Sequence, residues 1–176
     1  MCQDGQARIW IATDGGLARF DGYEVRKVEP GTWGQAGRTW EYLVTAVSAT
    51  VPERGQRPWS EAVRTVVWVG TDGRGLVRFD PEADRADIVE GGRLSHPSVR
   101  AVLATRDGVW IGTEGGLDFL ASGTGSFHPT AQEPGRPVGR VVGLVQDFRG
   151  RVWTAVAGKG VFRRDDQGIW DLMAEY

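Results

Sequence analysis

Three features of this 176-residue sequence predict an all-β fold built from repeated four-stranded antiparallel units. First, one hairpin phrase recurs. "IWIATDGGLARF" at 9–20 returns as "VWVGTDGRGLVRF" at 67–79, as "VWIGTEGGLDFL" at 109–120 and, worn down, as "VWTAVAGKGVFRR" at 152–164. Second, its tryptophans Trp10, Trp68, Trp110 and Trp153 stand 58, 42 and 43 residues apart, and a period in the forties with strand chemistry is that of a propeller blade. Third, the last two phrases are each led by an alternating apolar stretch and a tight turn, and followed by a looser stretch. The expected architecture is a β-propeller segment in a single domain, 1–176, with blades close to 4–29, 42–90, 99–129 and 141–176.

Each blade is justified strand by strand. The inner strands are "YLVTAVSAT" (42–50), "VRAVLAT" (99–105) and "VVGLVQD" (141–147), and the first blade has no such stretch, so it is expected to lack its inner strand. Tight turns follow at "RDG" (106–108) and "FRG" (148–150), because glycine adopts positive φ without a Cβ clash. In the Trp strand, side chains alternate between faces. Trp10, Trp68, Trp110 and Trp153 share a face with Ala12, Gly70, Gly112 and Ala155, small residues that leave room for a neighbour's bulk. The other face carries Ile9 and Ile11, Val67 and Val69, Val109 and Ile111, or Val152, so the strand is sandwiched and the four indoles are expected to be buried. Arg19, Arg78 and Arg163 precede Asp21, Asp80 and Asp165 by two residues, which reads as an outer-strand ion pair. The long first spacing places an insertion, 51–65, where other blades have a short turn. It carries Arg54, Arg57 and Trp59, a candidate loop for protein contact.

Composition narrows the function classes. A net charge of −2 gives no broad electrostatic footprint for nucleic acid or an anionic membrane. The cations are nineteen Arg and two Lys, and Cys2 is the single cysteine, so neither a disulfide framework nor a thiolate metal cluster is expected. No apolar run approaches the length of a spanning helix, and "MCQDGQARIW" has no secretion-signal pattern. As it stands the sequence predicts a cytoplasmic protein, or an extracytoplasmic one if the natural start lies upstream.

The phrases "DGQARIWIATDGGLARFDG" (4–22) and "DGVWIGTEGGLDF" (107–119) resemble the two-component regulator propeller repeat, with Trp, Thr, paired Gly and Leu in register over four units. Unit four departs from it, with Val156-Ala157-Gly158-Lys159-Gly160 at the glycine turn. The resemblance implies a sensor propeller of the kind found in histidine-kinase-type systems, which recognises rather than catalyses.

Catalytic signals are sparse. His96 and His128 each precede proline, in "LSHPSV" and "SFHPTA", and offer the material for a propeller lyase or glycosidase; the plainer reading is loop histidines in X-Pro turns. Asp107 and Asp147, ahead of their Trp strands, resemble the aspartate boxes of sialidase-like propellers, which are structural turns. In a propeller the glycine turn lies on the same face as the link between blades. That face gathers Asp14, Asp72, Glu114 and Lys159, with Trp33 and Trp40 from the first link. Indoles beside acids suit a sugar, a small molecule or a peptide with a cationic group. The function expected is a non-enzymatic binding module without metal or cofactor, for ligand sensing or protein assembly. Its open ends are expected to be covered by oligomerisation or by a partner chain, and a purely structural scaffold is the remaining alternative.

Overall fold

The computed structural model of the protein describes residues 1–28, 44–49, 65–89, 94–122, 127–128 and 133–175. Among these, sixteen strands form four antiparallel four-stranded sheets and there is no helix. The first sheet holds β1 (Cys2–Gln3), β2 (Ile9–Thr13), β3 (Gly16–Phe20) and β4 (Val25–Lys27). The second holds β5 (Val44–Ala49), β6 (Val67–Thr71), β7 (Gly75–Asp80) and β8 (Arg85–Val89). The third holds β9 (Val99–Ala104), β10 (Gly108–Thr113), β11 (Leu117–Ala121) and β12 (Phe127–His128). The fourth holds β13 (Val141–Gln146), β14 (Val152–Val156), β15 (Gly160–Arg164) and β16 (Trp170–Ala174).

The first sheet corrects the expectation that its inner strand is missing. Cys2 pairs with Trp10 and Gln3 with Ile9, so a two-residue β1 occupies that edge. An apolar strand with unpaired backbone groups is a poor state, and even two residues of ladder relieve it. The Cys2 side chain packs against the core between the first two sheets. Burial pushes its thiol up to about 11, from an ordinary 9.0. At pH 7.5 the thiolate fraction therefore falls about 100-fold. Alkylation of the native protein by iodoacetamide is expected to be slower than that of the urea-unfolded protein by about that factor; equal rates would refute the burial.

Three separate cores join the sheets in succession. Trp10 and Leu17 of the first sheet pack with Val67, Val69, Val77 and Phe79 of the second. Trp68 and Leu76 pack with Val109, Ile111 and Leu120 of the third, and Trp110 and Leu117 with Val141, Val152, Val156 and Trp170 of the fourth. The inner strands stand side by side, β5 against β9 and β9 against β13. This arrangement fits a propeller-like fold.

The small residue after the indole is explained by this packing. A Cβ on Gly70 would lie 2.6 Å from Val99 Cγ1, and one on Gly112 would lie 2.3 Å from Val141 Cγ1, so the next inner strand occupies the space left. The recurring threonine closes the glycine turn. Thr13, Thr71 and Thr113 donate through Oγ1 to the carbonyls of Gly16, Gly75 and Gly116 at 2.7–2.9 Å. Unit four lacks that hydroxyl but follows unit two in backbone, with Gly158 and Gly160 at positive φ like Gly73 and Gly75.

Two further expectations are corrected. The outer Arg and Asp two residues apart do not form the expected ion pairs. Arg163 reaches across to Asp171 at 3.3 Å and Arg78 to Asp87 at 4.0 Å. Asp21, Asp80 and Asp165 instead accept backbone N–H groups of the turns that follow them, as short acidic side chains do at turns. Of the four indoles, Trp10, Trp68 and Trp110 are buried, but Trp153 is only half-buried, and no fifth sheet among the described residues lies against its face.

Candidate ligand-binding site

A chain of charged side chains crosses from the second sheet to the fourth on the face of the glycine turns. Asp72 lies in the β6–β7 turn and Glu114 in the β10–β11 turn. Arg100, the second residue of β9, stands between them. Its Nε donates to Glu114 Oε1 at 2.6 Å and its Nη2 to Asp72 Oδ1 at 3.3 Å. Arg140, just before β13, brings its Nε to 3.9 Å from the other Glu114 oxygen. Arg100, Glu114, Arg140 and Val142 line an open depression of about 330 Å³.

Local structure explains the placement. The N–H of Glu114 donates to Ser98 O at 3.0 Å, tying the third sheet's glycine turn to the link that enters that same sheet. The N–H of Gly75 donates to Pro97 O at 2.7 Å, clipping the second sheet's turn to the link entering the third. The N–H of Ala157 repeats the first of these with Arg140 O at 2.9 Å. A side chain at the start of an inner strand is thereby held beside the turn acid of the preceding sheet. The charges are paired and partly exposed, so the surface offers donors and acceptors with little net charge.

Of the residues singled out from sequence, the structure brings Asp72 and Glu114 together through Arg100. Asp14 is exposed on the β2–β3 turn and Lys159 on the β14–β15 turn, outside this chain of contacts. Trp33, Trp40, Arg54, Arg57 and Trp59 lie outside the described residues. Sequence reading missed Arg100 and Arg140. The available signal was their position, a basic residue at the very entry of two apolar inner strands.

His96 holds a turn: its Nδ1 accepts the Ser98 N–H at 3.0 Å. It leads into β9, whereas His128 lies on β12, the opposite edge strand of that sheet. The two histidines thus stand at opposite edges of the third sheet. Among the described residues no cluster of three His, Cys, Asp or Glu is placed to hold a metal ion, and no helix is long and apolar enough to cross a membrane.

No protein-family model matches the chain, and no curated protein matches it by sequence. Solved structures do. The extracellular domain of BT4673 from B. thetaiotaomicron, described as a hybrid two-component system, superposes with a TM-score of 0.66 at 20% identity, over 96% of this chain and 20% of its own. The corresponding domain of BT3049 from the same organism gives 0.68 at 17% identity, over 98% and 24%. The computationally designed protein Ika8 gives 0.54 at 14% identity, over 96% and 46%. The chain thus spans about a fifth to a quarter of the length of the two bacterial domains. The extracellular domains of two such systems thus share the fold expected from the repeat phrase, and at these identities the likeness is one of fold alone.

Proposed function

We propose that the chain is a non-enzymatic binding module, a propeller segment of four blades that recognises a small polar ligand, a sugar or a peptide, on the glycine-turn face. The observation that carries this reading is the Asp72–Arg100–Glu114–Arg140 chain over its depression. Ion-paired acids and guanidinium groups suit hydroxyl-rich or zwitterionic ligands, which exchange hydrogen bonds without stranding a charge. We further place the module outside the cytoplasm in a sensing system. The support is the fold shared with two extracellular domains of two-component systems.

Calorimetric titration with a panel of neutral oligosaccharides and short zwitterionic peptides tests the reading. At least one member is expected to bind the wild-type protein. Arg100→Ala is expected to weaken that binding tenfold or more, about 1.4 kcal/mol, with the strand signal in circular dichroism unchanged. A panel without binders, or equal binding by Arg100→Ala, would sink it.

A further inference from the structure

Among the described residues, the stack of sheets leaves two faces uncovered, and they are chemically the two halves of an interface the molecule already makes. On the fourth sheet, the register row Val145, Trp153, Arg163 and Asp171 faces away from the third sheet. The same row on the second sheet is Ser48, Trp68, Arg78 and Asp87, with the Trp, the Arg and the Asp in identical register. There the indole is covered by Val109, Ile111 and Leu120 of the third sheet. On the first sheet, the residues in the positions of Val109, Leu120 and Ile111 are Ile9, Phe20 and Ile11, since Ile9 pairs with Phe20 as Val109 pairs with Leu120. These three are half-buried, whereas their counterparts in the stack are buried. Val25, paired with Phe20, is 62% exposed, and Val145 is 59% exposed.

We propose that the Trp153 face of one copy docks on the Ile9, Ile11 and Phe20 face of a second copy, and the reverse, closing a two-copy ring of eight sheets. Eight lies within the usual range of propeller blades, and a ring closed by a two-fold axis leaves neither face open. The proposal uses neither Arg100 nor the depression, so it stands or falls apart from the ligand reading.

Light scattering of the 176-residue chain at micromolar concentration is expected to give twice the 19.2 kDa chain mass. Val25→Asp and Val145→Asp each place an unpaired charge at one half of both junctions, and each is expected to weaken association at least tenfold. An equimolar mixture of the two variants keeps one intact junction and is expected to form a heterodimer that neither forms alone. Val138→Asp, at an exposed link residue off both faces, is expected to leave the mass unchanged. A folded wild-type protein that stays monomeric overturns the proposal. So does an oligomer that Val145→Asp disrupts and Val25→Asp does not, because that pattern means like faces pairing.

Discussion

Trp110→Ala is expected to lower the unfolding free energy by about 3–5 kcal/mol, and Trp153→Ala by about 1–2 kcal/mol. The two residues hold the same place in successive repeats and differ in what lies against them. Trp110 is buried, with the Trp170 ring edge-on at 5.7 Å, the Phe119 ring at 4.5 Å and the Arg164 guanidinium 5.2 Å over its face. Its removal opens a cavity between two sheets that β-ladders on both sides prevent from collapsing. Trp153 meets the Arg151 and Arg163 guanidinium groups at 5.9 Å, makes one hydrogen bond to Asp147 and is only half-buried. Urea denaturation in the Val25→Asp background, where association does not contribute, reads both costs. Equal losses at the two positions would mean that Trp153 is covered within the single chain.

The repeat was legible in sequence because each blade solves the same packing problem with the same residues. Trp strand, small residue, threonine and glycine turn recur because an indole, a neighbour's valine and a tight turn must fit the same space every time. The two-residue β1 was not legible, since Cys2 and Gln3 carry no alternation of their own and pair because of where β2 lies. The site was half legible. Turn acids announce themselves beside glycines, but Arg100 becomes their partner through the clip between a turn and the next link, a contact between sheets with no local sequence mark. The ion pairs expected between Arg and Asp on one strand failed for a related reason. A backbone N–H two or three residues ahead competes for the carboxylate, and the turn supplies one each time.

The aspartate boxes set the second large expectation, and here the sequence pointed to Asp107 and Asp147 where the structure uses Asp4 and Asp147. Asp4 accepts the backbone N–H groups of Gln6 at 2.9 Å and Arg8 at 3.0 Å through one oxygen. The other takes Arg8 Nε at 2.7 Å and the Trp10 indole N–H at 2.9 Å. Asp147 repeats all four bonds with Arg149, Arg151 and Trp153. Burial by itself raises the Asp4 carboxyl, but the bonds from Trp10 and Arg8 outweigh it and hold the group below its ordinary range. The Trp153 indole, with Arg151, holds Asp147 lower still, against a smaller upward push from desolvation. Asp4→Asn keeps the size and removes the charge that the part-buried Arg8 guanidinium and the buried Trp10 indole both bond to. It is expected to cost about 1.5–3 kcal/mol at pH 7, the worth of hydrogen bonds to a charged group. The sign of the pH dependence follows from the lowered value. The carboxylate's contribution is fully present above the ordinary aspartate value of 3.8 and is lost as pH falls through the lower value of the folded state. Stability of the wild-type protein is therefore expected to hold from pH 7 to about pH 4 and to fall below it, where the unfolded chain takes up the proton first. The Asp4→Asn curve should start lower and fall less, so that the gap between the two proteins closes in acid. A gap as wide at pH 2.5 as at pH 7, measured by urea unfolding at each pH, would show that the Asp4 charge contributes nothing and that only the shape of the turn matters.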